Sequence, residues 1–293
     1  MNKDLFELID EKILNLNNIN WDKNIPIWFS VSNSEYLIYI YSCLRSWIYT
    51  YDAESKFILF YFKDSNKNNK LYNKIKNISK KVIVIDIDLI ELRENTSLIT
   101  NKLWTNRIAF YANIRAHILL KLSRIYTNII YLDSDSIFTN KISIIFDYLN
   151  KKKFKFSCVK VNNESKWEYK SGLMIIWNNK LNKNNLLYNS LIKYSNDVKK
   201  SVFNWGADQD NLSKLVKAFK DEYIQFPLDY FNWYGKSNTI IYTAKGSNKN
   251  SIVYKILLLI LEISYLIKSK KSWILLSRIF FLIIQFKNLI LGR

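Results

Sequence analysis

The sequence has few of the residues on which many enzymes and secreted proteins depend. It contains one histidine, two cysteines, two prolines and five glycines in 293 residues. A single histidine, His117, leaves a Ser-His or Cys-His catalytic arrangement no other imidazole to use. We interpret His117 as structural or exposed, because it falls on the side of its predicted helix away from the apolar stripe. Cys43 and Cys158 lie in apolar runs, which predicts buried, reduced thiols.

Acidic residues are also scarce. The chain has 25 Asp and Glu against 44 Lys and Arg, for a formal net charge of +19. This surplus favours an anionic partner such as nucleic acid, an acidic membrane or a phosphorylated substrate, although codon bias toward Lys and Asn is a plainer explanation. The first residues, MNKDLFELIDEKIL, are acidic and amphipathic and lack the apolar stretch of a secretory signal, so we expect a cytoplasmic protein.

Apolar material is abundant, and its pattern predicts an α/β fold. Hydrophobic residues make up 49% of the chain, which excludes intrinsic disorder. Continuous apolar strands alternate with helices, which implies a mainly parallel sheet covered on both faces. The predicted strands are 25–31, 56–62, 82–88, 128–132, 154–161 and 172–177. The predicted helices include 35–51, 107–124, 183–198 and 208–220.

The composition changes at about Ser251. From there to the C-terminus the chain is aliphatic, aromatic and basic, with seven Lys or Arg and one acidic residue, Glu262. Neither apolar half reaches the roughly 20 uninterrupted residues that a spanning helix needs. We therefore predict a catalytic domain over 1–250 and amphipathic helices over 251–293 that lie on an anionic membrane surface. Helices packed on the core or on a second subunit are the alternative.

Two aspartates follow the apolar run 129–132 directly, separated by one serine. In doubly wound sheets, ligands bind outside the carboxyl ends of the strands, where Asp133 and Asp135 would lie. Their mutual repulsion needs a counter-charge, which Mg²⁺ or Mn²⁺ shared with substrate phosphates would provide. A solvated turn is the plainer interpretation, because Asp and Ser are common turn residues.

A buried cation is predicted close by. Arg115 lies within a helical stripe of otherwise apolar residues, namely Ile108, Ala112, Leu119 and Leu122. A guanidinium on such a face needs an anionic partner. The neighbouring carboxylates or a bound diphosphate would serve, and a purely structural salt bridge is the alternative.

Several short blocks are scattered over roughly residues 25–250. They are Ser32 to Tyr36 after the first strand, Arg115, Tyr131 to Asp135, Lys170 to Met174, Asp208-Gln209-Asp210, a Pro-containing strand at Gln225 to Leu228, and Thr243 to Lys249. These blocks, in this order, resemble those of family-8 glycosyltransferases, which have a GT-A fold.

The resemblance implies a retaining transfer of a hexose from a UDP-sugar to a glycan or glycolipid, such as a bacterial surface polysaccharide or lipopolysaccharide, at the inner face of the membrane. Asp133 and Asp135 would bind Mn²⁺ or Mg²⁺, and Asp208 and Gln209 would lie near the anomeric carbon. The implied donor-binding residues are Ser32, Asn33, Tyr36 (on the uracil), Arg115, Asp133, Ser134, Ser171, Gly246 and Lys249.

The sequence departs from the family at several positions. Thr243 stands where the family has a histidine as third metal ligand, and the Pro-Trp that follows the block's lysine is missing. Ser32 and Asn33 stand where the family usually has Asp, and Lys170 replaces an Asn.

Two other classes of protein remain open. A haloacid-dehalogenase-type phosphatase also places D-x-D after an apolar strand, although its nucleophile normally opens the catalytic domain. A basic, non-catalytic membrane-binding protein would share the charge. No nucleic-acid motif is recognisable, so we expect no nucleic-acid partner beyond the nucleotide donor.

Overall fold

The computed structural model describes residues 5–65, 69–91, 106–161, 168–178, 186–236, 238–244, 249 and 251–290. Its helices are α1 Leu5–Leu14, α2 Leu37–Thr50, α3 Asn69–Lys76, α4 Arg107–Leu122, α5 Ser143–Asn150, α6 Leu186–Lys200, α7 Ala207–Ala218, α8 Ile252–Leu266 and α9 Lys270–Ile290. Its strands are β1 Ile27–Asn33, β2 Lys56–Lys63, β3 Val82–Asp88, β4 Ile129–Leu132, β5 Ser136–Phe138, β6 Phe156–Lys160, β7 Tyr169–Ile176, β8 Tyr223–Phe226, β9 Phe231–Asn232 and β10 Ile241–Thr243.

Seven strands form the main sheet, in the order β3-β2-β1-β4-β7-β6-β8. All neighbours are parallel except β7, which is antiparallel to both β4 and β6. Each of the predicted strands is present, with ends that differ by a few residues. Strand β8 stops just before Pro227, whose nitrogen cannot donate to a strand ladder.

Helices cover both faces of this sheet, as the continuous apolar strands predict. Within β1, Ile27 and Phe29 face one core cluster while Trp28 faces the other. The first cluster includes residues of α1, α4, α6 and α7, and the second includes residues of α2, α3 and α5. The predicted α/β architecture is therefore confirmed.

Helix α4 is buried on more sides than the predicted apolar stripe implies. Ile108, one member of that stripe, is 58% exposed. Most residues from Asn113 onward are buried, because α4 packs between the sheet and helices α1, α6 and α7. His117 lies in this packed region with its Nε2 2.7 Å from Asp10 Oδ1 on α1. Burial lowers the His117 pKa, partly offset by Asp10, and the residue serves to hold α1 against α4.

Both cysteines are buried free thiols, as predicted. Burial raises the pKa of Cys158 to about 12 and raises that of Cys43 further. A thiol with so high a pKa carries almost no thiolate at neutral pH and is unreactive.

A second, three-stranded sheet was not predicted from the sequence. Its order is β5-β10-β9, with β10 antiparallel to β5 and parallel to β9. Strand β5 begins immediately after Asp135, so the aspartate pair lies between the two sheets.

The predicted C-terminal helices are present as a hairpin, α8–α9, and one face of it packs on the small sheet. Trp273 donates from its indole Nε1 to the Phe138 carbonyl at 2.9 Å, and the Ser277 hydroxyl donates to the Thr139 carbonyl at 3.1 Å. A third core cluster joins the hairpin to the sheet; it contains Ile137, Tyr242, Ala244, Tyr254, Leu257, Leu261, Trp273 and Phe281. Among the described helices, none is both long enough and apolar enough to cross a lipid bilayer.

Candidate active site

A cleft of about 300 Å³ lies at the carboxyl ends of β1 and β4. From β1 the strand order runs through β2 and β3 on one side and through β4 on the other. This reversal is a topological switch point, where open α/β sheets bind their ligands. Ten residues predicted from the sequence line the cleft: Ser32, Asn33, Tyr36, Arg115, Asp133, Ser134, Asp135, Ser171, Gln209 and Lys249.

Two other predicted site residues are not among the lining residues. Gly246 lies outside the described residues. Asp208 is 1% exposed and sits beneath the cleft, where it accepts a hydrogen bond from Arg115 Nε at 2.9 Å. Its carboxylate is therefore placed to hold Arg115 and does not reach the cleft surface. The neighbouring Gln209 does line the cleft, and its Oε1 has no hydrogen-bond partner within the described part of the chain.

Arg115 is the buried cation at the base of the cleft. Its Nη1 donates to Asp133 Oδ1 at 2.6 Å and to Tyr131 Oη at 3.1 Å. Its Nη2 donates to Ser171 Oγ at 2.8 Å and also pairs with Asp208. Burial opposes its charge, but Asp208, Tyr131, Asp133 and Tyr194 together outweigh this and raise the Arg115 pKa above its ordinary value. The anionic partners that its apolar surroundings require are thus two carboxylates from different elements.

Asp135 contacts a second cation and a hydroxyl. Lys249 Nζ lies 3.1 Å from Asp135 Oδ2, and Thr243 Oγ1 donates to Asp135 Oδ1 at 3.3 Å. Lys249 also donates to Tyr36 Oη at 2.7 Å and lies 4.0 Å from the centre of that ring. Thr243 and Lys249, the first and last residues of the 243–249 block, therefore both contact Asp135.

The aspartate segment is fixed by backbone hydrogen bonds from both sheets. Asp133 N donates to the Gly172 carbonyl on β7 at 3.0 Å, and Ala244 N donates to the Asp135 carbonyl at 3.2 Å. Ser134 and Asp135 are each 7% exposed. The segment is therefore not the solvated turn that the sequence left open.

Sequence reasoning missed Asp64, which organises the polar cluster after β1. Its carboxylate accepts from Asn33 Nδ2 at 3.0 Å, from Ser34 N at 3.1 Å and from Tyr111 Oη at 3.0 Å. Burial, together with Asp64, raises the Tyr111 pKa. The sequence contained a signal for Asp64, because this residue directly follows β2 at the same edge of the sheet as Asp133.

Trp205, on the lip of the cleft, was also missed. Its side chain lines the cleft and is 61% exposed. The turn that carries it is held by Asn113, whose Nδ2 donates to the Val202 and Asn204 carbonyls, each at 2.8 Å. Nothing in the sequence distinguishes this tryptophan from those of the core.

The cleft contains oxygen atoms that could bind a metal ion. Among the described residues, no group of three His, Cys, Asp or Glu side chains could hold a metal ion. Asp133, Asp135 and the Thr243 hydroxyl offer oxygen ligands, which hard cations such as Mg²⁺ prefer. These residues fit a cation that takes its remaining ligands from a bound phosphate.

No protein-family model and no curated protein sequence matches the chain. Solved glycosyltransferases do match in structure. The apo form of WbbM, a bifunctional glycosyltransferase, aligns over 78% of this chain and 46% of its own at 13% identity, with a TM-score of 0.52. GlyE of Streptococcus pneumoniae TIGR4 aligns over 71% of this chain and 46% of its own at 18% identity, with a TM-score of 0.45. Core-mannan synthase A of Aspergillus fumigatus, in an Mn/GDP form, aligns over 71% of this chain and 74% of its own at 12% identity, with a TM-score of 0.45.

The chain thus spans less than half the length of the first two proteins. At 13% identity, the similarity to WbbM shows a shared fold. Together with the mainly parallel seven-stranded sheet, it confirms the predicted GT-A fold class.

Proposed function

We propose that the chain is a glycosyltransferase that moves a hexose from a UDP-sugar to a glycan or glycolipid acceptor, with retention of configuration and with Mn²⁺ or Mg²⁺. The observation that carries the proposal is the convergence of the predicted donor-binding residues. Residues separated by up to 217 positions, from Ser32 to Lys249, line one cleft at the switch point of the sheet. A GT-A fold alone would not establish this activity, because one fold hosts many functions.

The charges of the cleft suit a nucleoside diphosphate. Arg115 and Lys249 are cations beside the aspartate pair, and the Tyr36 ring offers a surface for the uracil. Asp133 and Asp135 would hold the metal, which supplies charge stabilisation to the departing UDP when bound. Gln209 lines the cleft, where its side chain would contact the transferred sugar, and Asp208 positions Arg115 from below.

The first test measures UDP release from UDP-glucose, UDP-galactose and UDP-N-acetylglucosamine in the presence of Mn²⁺. One of these donors should be hydrolysed, and EDTA should abolish the reaction. We expect Asp135→Asn to lower the rate about 100-fold or more, since it removes one of two anionic ligands. The matched control, Asp229→Asn, changes an exposed aspartate that pairs with Lys236 on the surface and should leave the rate unchanged.

Calorimetric measurement of UDP binding, with and without Mn²⁺, shows whether the donor site depends on a metal. If UDP affinity is the same with and without metal and in Asp135→Asn, the cleft is not a metal-dependent donor site, and the proposal fails.

We also place the acceptor side of this reaction at an anionic membrane surface. The outer face of the hairpin exposes many large apolar side chains, and the largest exposed fractions belong to Ile252, Leu259, Leu266, Leu275, Ile283, Phe286 and Ile290. Exposed lysines lie among them: Lys255, Lys268, Lys270, Lys271 and Lys287. Apolar and basic side chains on one surface suit interfacial binding to anionic lipid.

The membrane prediction is best tested on this outer face. The double variant Ile283→Ser/Phe286→Ser removes side chains that are 60% and 65% exposed, so folding should be unaffected. Sedimentation with vesicles that contain phosphatidylglycerol should weaken about tenfold or more, since each buried apolar side chain contributes about 1.5–3 kcal/mol. Salt should weaken binding of the parent protein. The control, Leu14→Ser, alters an equally exposed residue elsewhere, and equal vesicle binding by all three proteins would refute the membrane assignment.

A further inference from the structure

The ammonium group of Lys249 lies against the carboxylate that a metal would use. Asp135 has Lys249 Nζ 3.1 Å from one oxygen and the Thr243 hydroxyl 3.3 Å from the other. Both Asp135 and Lys249 are largely shielded, with side chains 10% and 16% exposed. In this low-dielectric setting an ion pair is stronger than the same pair in water.

Three residues hold the ammonium group in this position. Besides Asp135, it donates to the Tyr36 hydroxyl at 2.7 Å and lies 4.0 Å and 5.1 Å from the ring centres of Tyr36 and Tyr39. A lysine side chain is charged at neutral pH, and these contacts with a carboxylate, a hydroxyl and two aromatic rings favour the charged form.

A divalent cation bound to Asp135 would lie close to this ammonium group. Two positive charges a few ångströms apart repel each other, and this repulsion adds directly to the cost of binding the metal. We propose that Lys249 is an exchangeable counter-ion, which occupies the cation position at Asp135 in the free protein and leaves it for the diphosphate when a metal–nucleotide complex arrives. The proposal extends the donor site described above and depends on it for the second half of the exchange.

Lys249 is suited to this movement, whereas Arg115 is not. The Arg115 guanidinium has partners on β4, β7 and α7 and is 7% exposed. Lys249 has a flexible four-carbon stem with a single charge at its end, and it lines the cleft. The rings of Tyr36 and Tyr39 would keep the ammonium group near the cleft after it leaves the carboxylate.

The exchange couples metal binding to nucleotide binding. In the free protein the lysine satisfies Asp135 and keeps metal affinity low. A metal that arrives with the diphosphate brings the new partner for Lys249, so the ammonium group is never left without a counter-charge. Metal and nucleotide should therefore bind with positive cooperativity, which linkage makes reciprocal.

The experiment measures Mn²⁺ binding to the protein without nucleotide, from the loss of the free Mn²⁺ signal in electron paramagnetic resonance. The parent should bind Mn²⁺ weakly, and Lys249→Met should bind it about tenfold more tightly or better, because a nearby positive charge has been removed. Lys249→Arg keeps the charge and should stay weak. The matched control, Lys236→Met, removes a lysine that pairs with Asp229 at 2.6 Å and should not change Mn²⁺ affinity.

Two further variants locate the effect. Asp135→Asn added to Lys249→Met should return Mn²⁺ binding to the parent level, since the gained affinity depends on that carboxylate. Tyr36→Phe removes only the hydroxyl partner of the ammonium group and should give a smaller gain in the same direction. A residue that merely supported the fold would not raise metal affinity when replaced.

The UDP titrations separate this proposal from the assigned function. With Mn²⁺ present, Lys249→Met should bind UDP less tightly than the parent while binding Mn²⁺ alone more tightly. If Lys249→Met binds Mn²⁺ no better than the parent, or keeps its gain without Asp135, the counter-ion proposal is overturned. If the parent fails to bind UDP at any Mn²⁺ concentration, the glycosyltransferase assignment fails, and the Mn²⁺ titrations still decide whether Lys249 occupies the cation position.

Discussion

Replacing Arg115 by methionine should destabilise the protein by about 3–5 kcal/mol, because the change leaves Asp208 as a buried charge without a partner. Asp208 is 1% exposed, and its Oδ1 has no hydrogen-bond partner in the described ranges even with Arg115 present. Urea unfolding followed by circular dichroism measures the loss. Arg107→Met is the matched control on the same helix, because its partner Glu35 is half exposed and such pairs contribute about 0–1 kcal/mol.

The double variant Arg115→Met/Asp208→Asn tests the cause of that loss. It removes the uncompensated charge, so it should be more stable than Arg115→Met alone by about 1–3 kcal/mol. Arg115→Lys should fold but bind UDP less tightly, since an ammonium group cannot match the planar fork that spans Asp133, Ser171 and Asp208. If Arg115→Met folds with parental stability, the ion pairs contribute nothing measurable, and the residue has only a binding role.

The strands of the main sheet were predictable because they are buried on both faces. Continuous apolar runs of four to eight residues, such as those of β2 and β4, identify such strands without any tertiary information. The small sheet gave no comparable signal. Its strands are two or three residues long, and they pair Ser136–Phe138 with residues about one hundred positions later.

The candidate site was predictable to the extent that it follows the carboxyl ends of strands. Asp133 and Asp135 were found by this rule, and Asp64 obeys it equally. The position of Asp208 could not be found in this way, because its burial depends on how α7 packs against α4. The Lys249–Asp135 contact likewise joins residues 114 positions apart, and neither spacing nor composition specifies it.

Deleting residues 252–293 should prevent the protein from folding normally, in contrast to the separable tail that the sequence suggests. The hairpin buries Tyr254, Leu257, Leu261, Trp273 and Phe281 in the third core cluster. Burial of five such side chains is worth on the order of 10 kcal/mol, which is comparable to the whole stability of a typical domain. The deletion would also expose the small sheet, which contains Thr243 and begins immediately after Asp135. UDP binding should therefore be lost as well.

A single substitution in the hairpin gives a measurable version of the same prediction. Trp273→Ala should cost about 3–5 kcal/mol, since it opens a cavity and leaves the Phe138 carbonyl without its indole donor. Trp205→Ala is the matched control, because that tryptophan is 61% exposed at the cleft and supports no core. Thermal unfolding and size-exclusion chromatography of both variants, with the deletion alongside, distinguish the two models of the hairpin. If the deletion protein is monomeric, melts at the parental temperature and binds UDP normally, residues 252–293 are an independent appendage. If the deletion protein loses its folded state while Trp205→Ala is unaffected, the hairpin completes the catalytic domain.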